Sequence, residues 1–175
     1  MRIYILTILI ISFFNSSLGQ VVLPAVTTTL SKTSLPTGFT HSGLGPDYSG
    51  PKLKFDGIGD VLIVHLNGQP GDLRFDLGTN NNFTVSVSNS TEFQVLESSS
   101  GASYTSVFTE GNGSTFIRGS KTVTTLDSTT RYIKFEFTNK ISGTNVALYN
   151  IEIDAGTSLS SCTALRLSLY CTVLH

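Results

Sequence analysis

The chain has 175 residues, 13% of them charged, and a formal net charge of −1. This length suits one domain with a substantial core. The sequence contains no basic stripe that would displace counterions from a nucleic acid or an anionic membrane, so we expect neither as a partner. Serine, threonine, glycine and asparagine are abundant and helix-favouring residues are scarce, so we expect strands and turns.

The N-terminal residues have the pattern of a secretory signal peptide. Residues 1–2 give a positive start, and residues 3–14 are apolar. Ser17 and Gly19 occupy the −3 and −1 positions, where signal peptidase requires small side chains. We therefore predict that residues 1–19 are removed and that the mature protein is secreted or lies at the cell surface. The apolar run is shorter than the roughly 20 residues that a bilayer requires, so we expect no membrane span.

The body of the chain shows apolar residues at alternate positions, with turn residues between the runs. In "RYIKFEFTNK", Ile133, Phe135 and Phe137 alternate with more polar positions, which predicts a half-buried strand. Residues 61–66 and 145–153 are apolar on both faces, which is typical of central strands. Further short strands are predicted at Phe83, Val85 and Val87, at Phe93 and Val95, at Tyr104, Val107 and Phe108, and at Phe116 with Ile117.

Eight or so short strands between closely spaced turns predict an all-β fold, an antiparallel β-sandwich of jelly-roll type. We expect residues 20–34 to form an N-terminal lead-in and residues 35–154 to form the sandwich module. Residues 155–175 are expected to form a C-terminal tail, which can also be interpreted as a truncated linker. Cys162 and Cys171 lie in this tail, where an oxidising compartment would let them close a small loop.

The stretch "LKFDGIGDVLIVHLNGQPGDLRF", residues 53–75, places two glycine-rich segments around an apolar run. A phosphate-binding loop requires its glycines at the start of a helix, whereas a strand follows Asp60, so we exclude that role. Asp56 and Asp60 are either part of a hairpin turn around Gly57 or two carboxylate ligands of a calcium site. In the second segment, residues 69–72, proline precedes glycine, which predicts a type II turn.

The sequence carries no recognisable catalytic motif. It has no G-x-S-x-G motif for an activated serine and no CxxC pair or His/Cys cluster for zinc. His65 lies in the middle of an apolar strand, where a histidine is more often structural than catalytic. We therefore expect a protein without enzymatic activity.

The first half of the body, "LPTGFTHSGLGPDYSGPKLKFDGIGDVLIVHLNGQPGDLRFDL", resembles a module of secreted, multidomain bacterial proteins. The second half, "FQVLESSSGASYTSVFT" and "TRYIKFEFTNKISGTNVALYNIEI", is similar to galactose-binding-like (discoidin-like) jelly-roll domains. The hairpin spacing of those domains is kept by Phe93, Val95, Ser98, Gly101 and Tyr104. Ser100 replaces the acidic residue that is usual there. The resemblance covers residues 35–153.

This resemblance implies a jelly-roll sandwich with a non-catalytic role in larger exported proteins, beside hydrolases, nucleases or repeats. Domains of this kind often carry a structural calcium ion near a sheet edge. The resemblance therefore adds weight to calcium as a cofactor at Asp56 and Asp60, although the hairpin turn remains the alternative.

Sandwich modules bind ligands on the loops at one end or across one sheet face. Sugar recognition uses exposed aromatic rings and polar side chains, although this chain has no tryptophan. The candidate ligand-binding residues in or near predicted loops are His41, Tyr48, Arg74, Tyr104, Asn112 and Arg118. We predict a module that binds a glycan or another cell-surface polymer. The alternatives are an accessory or remnant domain of an extracellular hydrolase or nuclease, and a structural or adhesion unit of the cell surface.

Overall fold

The computed structural model of the chain describes residues 19–48, 50–79, 91–111 and 115–157. Ten β-strands and no helix occur within these ranges. A membrane-crossing helix is thus absent from this part of the chain. Outside the ranges lie nearly all of the predicted signal peptide of residues 1–19, the predicted strand at Val85, the candidate ligand residue Asn112, and the tail with Cys162 and Cys171.

The strands are short and differ in burial pattern. Their bounds in chain order are β1 Ala25–Thr27, β2 Phe39–Ser42, β3 Leu53–Phe55, β4 Val61–His65, β5 Pro70–Thr79, β6 Glu92–Ser98, β7 Thr105–Glu110, β8 Gly119–Val123, β9 Tyr132–Asn139 and β10 Val146–Ala155.

The strands form two five-stranded antiparallel sheets. In the first, called sheet one, the order is β1-β10-β5-β8, and β3 pairs with β10 beside β1. In the second, called sheet two, the order is β2-β4-β9-β6-β7. The eight strands from β3 to β10 therefore follow the orders β3-β10-β5-β8 and β4-β9-β6-β7, which are those of a jelly roll. The predicted antiparallel jelly-roll sandwich is confirmed, with β1 and β2 added to the eight strands.

Alternation of side chains along the strands builds the core between the sheets. Ile133, Phe135 and Phe137 of β9 are all fully buried, as their spacing predicts. On β4, Leu62 and Val64 are fully buried, while the intervening side chains are half-buried on the outer face. The strand lies between β2 and β9, so its predicted central position is confirmed.

Phenylalanine rings from both sheets interlock in this core. Phe75 of sheet one meets Phe135 and Phe108 of sheet two edge to face, with ring centroids 5.3 and 5.5 Å apart. Phe55 of sheet one meets Phe93 of sheet two in the same way at 5.0 Å. Edge-to-face packing places the positive ring edge against the negative face, so these pairs add electrostatic attraction to the burial of apolar area.

The bounds of β10 lie close to the predicted ones, but its pattern of buried side chains differs from the predicted pattern. Val146 and Leu148 are buried before Asn150, and Ile151 and Ile153 are buried after it. Asn150 has a positive φ of 52°, and the register with β5 shifts between residues 149 and 152. A bulge therefore moves the inward positions by one residue, and the strand is not a two-faced apolar strand.

Two local predictions are wrong. The strand predicted at Phe116 and Ile117 begins later, at Gly119, because Phe116 is buried as an anchor ahead of the strand and Ile117 is 61% exposed. The turn predicted at residues 69–72 is also wrong, since Pro70 starts β5 and the bend lies at residues 67–68. Proline is tolerated as the first residue of a strand. Gly71 allows β10 to approach closely, because a Cβ there would lie 3.0 Å from the Cβ of Asp154.

The turn after β6 gives a structural role to Ser98, one of the residues that carry the resemblance to galactose-binding-like domains. Ser98 is 5% exposed, and its Oγ accepts hydrogen bonds from the backbone N–H groups of Ser100 and Gly101 at 3.2 and 2.9 Å. A short hydroxyl side chain can satisfy such turn donors locally. The side chain at position 98 therefore closes the connection between β6 and β7.

A largely buried ion pair joins the two sheets at one edge. The Nζ of Lys121 on β8 lies 2.6 Å from the Oε2 of Glu110 on β7, and the side chains are 12% and 9% exposed. The Oε1 of Glu110 accepts a hydrogen bond from the backbone N–H of Ile117 at 2.7 Å. Glu110 therefore orients the segment that leads into β8, as well as the end of β7.

We expect the Phe135→Ala variant to lose about 3–5 kcal/mol of unfolding free energy, because it removes a fully buried ring that contacts both Phe75 and Phe93. Urea denaturation followed by far-ultraviolet circular dichroism measures this change. The control is Ile117→Ala, which truncates an exposed apolar side chain and should alter stability by less than about 0.5 kcal/mol. Equal losses in the two variants would contradict the central role of the interlocked rings.

Candidate functional site

The outer face of sheet one carries an open groove of about 580 Å³. Its residues come from the segment before β3, from β5, from the start of β8 and from β10, which are brought together only by the sheet. Side chains and backbone that line this groove include those of Tyr48, Lys52, Gly78, Arg118, Ala147 and Tyr149. We refer to these six residues as the groove residues.

The floor of the groove is low because small residues face each other across two paired strands. Ala147 of β10 pairs with Gly78 of β5. A Cβ at position 78 would lie 3.5 Å from the Cβ of Ala147 and 3.6 Å from Cε1 of Tyr149, which is ordinary van der Waals contact. The glycine therefore leaves room for an added Cβ without strain.

Tyr48, Lys52 and Tyr149 form one side of the groove, and Lys54 packs against Tyr48 beside it. The Nζ of Lys52 lies 4.7 Å from the ring centroid of Tyr149, and the Nζ of Lys54 lies 5.8 Å from that of Tyr48. Cation–π attraction of this kind restricts the lysine side chains and so orders the wall. Lys54 also forms an ion pair with Asp56 at 3.1 Å, whereas Lys52 remains directed at the groove.

Tyr48 is held firmly in this wall. Burial raises the pKa of its phenol above the ordinary value of 10.0, and the neighbouring Asn145 amide partly opposes the shift. The hydroxyl oxygen of Tyr48 is itself buried, so the residue contributes its ring to the groove.

Arg118 stands on the opposite side of the groove from Lys52. The segment that carries Arg118 is anchored to the core, because Phe116 is buried and the N–H of Ile117 donates a hydrogen bond to Glu110. Arg118 itself is exposed. The anchoring of its neighbours presents the guanidinium group toward the groove, although the residue precedes the strand.

Arg74 lies farther along the same face of β5, but its guanidinium group is already engaged. It lies 2.8 Å from Asp154, 3.2 Å from Glu152 and 3.4 Å from Asp72. The hydrogen bond from Arg74 lowers the pKa of the Asp154 carboxyl group below its ordinary value of 3.8. This cluster ties β5 to β10 on the solvent side, and Arg74 does not line the groove.

The structure separates the other predicted ligand residues from the groove. His41 lies on β2, at an edge of sheet two, and Tyr104 packs against Lys134 of sheet two, with the Nζ 4.7 Å from the ring centroid. Of the six candidates, Tyr48 and Arg118 meet in one groove, Arg74 shares its face, and Asn112 is outside the described residues.

The outer face of sheet two has a different character. The rings of His65 and Tyr132 stack with centroids 4.4 Å apart and planes at 4°. Beside them, Lys134 lies 2.7 Å from Glu136. Among the described residues no cavity comparable to the groove is found on this face, so its polar groups satisfy one another across a nearly flat surface.

Asp60 is used inside the loop between β3 and β4. It is 4% exposed, and its Oδ2 accepts hydrogen bonds from the N–H groups of Asp56 and Gly57 at 2.7 and 2.8 Å. This loop connects two different sheets, so the predicted turn exists but does not form a hairpin. In the described ranges no three His, Cys, Asp or Glu side chains converge as a metal site. Calcium binding by Asp56 and Asp60 stays a prediction.

Lys52, Gly78, Ala147 and Tyr149 are groove residues that the sequence reasoning missed. The sequence predicts Tyr149 only as part of a strand apolar on both faces, whereas the structure places it outward, because it follows the inward Leu148 and precedes the bulge at Asn150. The pairing of Gly78 with Ala147 depends on the register between two distant strands. The only local signal was that Tyr149 interrupts the alternation of β10.

We expect Asp60→Ala to lower the unfolding free energy by about 1–3 kcal/mol, because two backbone N–H groups lose their acceptor. Asp56→Ala, in the same loop, removes only a partly exposed ion pair with Lys54 and should cost less than about 1 kcal/mol. Chemical denaturation of both variants makes the comparison. If Asp56→Ala were the more damaging change, Asp60 would not be the residue that holds the loop.

The Arg74 cluster predicts a pH-dependent stability. A carboxyl group whose pKa is lowered in the folded protein stabilises it above its ordinary pKa of 3.8, and this stabilisation is lost as pH falls through the lowered value. The difference in Tm between the wild type and Arg74→Gln should therefore be largest at neutral pH and shrink in acid. Thermal denaturation as a function of pH measures it.

The control for this experiment is Arg131→Gln, because Arg131 donates to the backbone carbonyl groups of Ser128 and Thr130 and to no carboxylate. Its effect on Tm should not depend on pH in the acid range. A difference for Arg74→Gln that stays constant down to strongly acidic pH would contradict the assignment of the ion pair.

Comparisons with known proteins identify the fold. A scan against protein-family models found no match, and a search of the curated proteins found none either. The solved K2 cleaved adhesin domain of Lys-gingipain is similar over 75% of this chain and 99% of that domain, with 16% identity and a TM-score of 0.54. The K1 cleaved adhesin domain of Lys-gingipain from Porphyromonas gingivalis W83 is similar over 76% and 99%, with 20% identity and a TM-score of 0.53.

A third similar structure is a variant of a family 29 carbohydrate-binding module, made to probe the mechanism of ligand recognition. It covers 75% of this chain and 90% of the module, with 17% identity and a TM-score of 0.51. At these identities the likeness concerns the fold alone. The chain thus has the β-sandwich fold that is found in adhesin domains and in carbohydrate-binding modules, none of which is a catalytic domain.

Proposed function

We propose that the chain is a secreted, non-catalytic binding module that recognises a glycan in the groove on the outer face of sheet one. The observation that carries this proposal is the groove itself, in which two tyrosines, a lysine and an arginine surround a floor of glycine and alanine. The groove brings these aromatic and basic side chains together from the segments before β3 and β8 and from β10.

The groove has the dimensions and the chemistry that a saccharide requires. A volume of about 580 Å³ lies within the range of small-molecule sites. The rings of Tyr48 and Tyr149 offer apolar surfaces for the C–H faces of a sugar, and the hydroxyl group of Tyr149 can donate and accept hydrogen bonds. Because the groove is open to solvent, a longer polymer can lie across it.

The similar structures support the same proposal from another direction. The third of them belongs to a carbohydrate-binding module, and the other two are cleaved adhesin domains of Lys-gingipain. The predicted signal peptide of residues 1–19 agrees with an extracellular role. We infer from the absence of a catalytic motif and from these neighbours that the chain binds its ligand without altering it.

Adhesion through a protein partner is the second candidate function. It is favoured by the outer face of sheet two, where Val61, Ile63 and Leu96 are only half-buried beside the stacked rings of His65 and Tyr132. Such a flat, partly apolar face suits another macromolecule better than a small ligand. An accessory role beside an extracellular hydrolase or nuclease stays a prediction.

We expect Gly78→Leu to abolish glycan binding while leaving the fold intact, because a Cβ at this position meets only ordinary van der Waals contacts and the rest of the leucine side chain would occupy the solvent-open floor of the groove. Binding is surveyed on a glycan array, and the oligosaccharide with the strongest signal is then titrated by calorimetry. The affinity should fall by at least about tenfold, which corresponds to about 1.4 kcal/mol.

The matched control is Gly68→Leu, the same change in the bend between β4 and β5, where a Cβ meets no atom within 4 Å. This variant should retain full affinity, and both variants should retain the wild-type Tm within a few degrees. Binding that survives Gly78→Leu but is lost on mutation of Tyr132 would move the site to sheet two. An array without any signal would contradict the glycan function.

A further inference from the structure

Most of the basic side chains that the structure describes are paired within the protein itself. Every aspartate and glutamate of the chain lies in the described ranges. Lys54, Arg74, Lys121 and Lys134 have carboxylate partners there. The remaining basic residues with partners donate to backbone carbonyl groups, and these are Lys32, Arg131 and Lys140.

Lys52 and Arg118 are the two exceptions among the lysines and arginines that the structure describes. Neither has an aspartate or glutamate oxygen within 4.0 Å, and neither donates to a carbonyl oxygen. Both line the groove on the outer face of sheet one. Among the described lysines and arginines, the two without a carboxylate partner or a carbonyl acceptor therefore lie at one site.

The two charges stand on opposite sides of that site. Lys52 directly precedes β3 and Arg118 directly precedes β8, and β10 and β5 lie between those strands. Three strand spacings separate the two backbones by about 14 Å. The long side chains reach inward from both sides, so a ligand across Gly78 and Ala147 meets a cation at each side.

The acidic residue that comes next along β5 does not neutralise the groove. Asp76 shares the outer face, but its Oδ1 accepts a hydrogen bond from Ser120 at 2.6 Å and its Oδ2 accepts one from Asn150 at 2.6 Å. It is not among the residues that line the groove. The charged side chains that line the groove are those of Lys52 and Arg118, and both are positive.

We propose that the groove selects acidic saccharides, with carboxylate groups of uronic acid residues bound by Arg118 and Lys52; this inference rests on the proposed glycan function and specifies its ligand class. The planar guanidinium group of Arg118 matches a carboxylate with two parallel hydrogen bonds. Lys52 supplies a point charge whose position is restricted by its contact with the ring of Tyr149.

Charge complementarity of this kind acts mainly on selectivity. The tyrosine rings and the small-residue floor accept the sugar faces of neutral and acidic polymers alike. Only an acidic polymer replaces the counterions that surround Lys52 and Arg118, so the two cations discriminate in its favour and speed its association. The discrimination weakens as salt screens the charges.

The test is calorimetric titration of the full chain with oligosaccharides of galacturonate, glucuronate and mannuronate, each against its neutral counterpart of the same length. At least one uronate should bind about tenfold more tightly than its neutral counterpart, and this preference should shrink at high salt. Arg118→Gln and Lys52→Gln should each weaken uronate binding about tenfold and weaken the binding of the neutral counterpart by much less, so the preference for the uronate shrinks in both variants.

The control is Arg131→Gln, which removes the same charge from a site outside the groove and should leave both affinities unchanged. Equal binding of neutral and acidic forms, insensitive to both groove variants, would overturn this inference and leave the glycan function standing. Tighter binding of a sulfated galactan than of every uronate would overturn the carboxylate assignment. Binding of none of these sugars, together with an empty glycan array, would overturn both proposals.

Discussion

The interlocked phenylalanine rings between the two sheets are the contact on which the rest of the structure depends. Phe75 inserts from sheet one between Phe108 and Phe135 of sheet two, at centroid distances of 5.3–5.5 Å. Close packing of these rings sets the separation of the sheets and commits alternate positions of each strand to the interior. The remaining positions of β5 and β10 must therefore face solvent, and these positions form the groove.

The same alternation makes one strand serve both stability and binding. Along β5, Phe75 and Leu77 are buried, whereas Arg74 and Gly78 lie on the outer face, in the ion-pair cluster and in the groove. The cluster ties β5 to β10 beside the place where these strands form the groove floor. The site is thus built on rigid, paired strands whose inner faces are fully packed, a placement that favours a preformed ligand surface.

Much of the fold was predictable because its signals are local. The alternation of Ile133, Phe135 and Phe137 predicts β9 and its buried face, and the apolar run at residues 61–66 predicts β4 as a central strand. Prediction failed where tertiary packing overrides local pattern: Phe116 is buried without being in a strand, and Pro70 starts a strand instead of forming a turn. The β8 sequence has one buried apolar residue, so its pattern carries too little information.

The sequence by itself determined the fold class, the inward faces of the main strands, and two groove residues, Tyr48 and Arg118. Only the tertiary structure decided that these two residues meet in one groove. It also decided that Arg74 is paired with carboxylates, whereas Lys52 and Arg118 have no carboxylate partner. The physical reason is that strand alternation is set by neighbours in sequence, whereas register, bulges and ion pairs are set between strands many residues apart. The pairing of Gly78 with Ala147 is of the second kind, and it makes the groove.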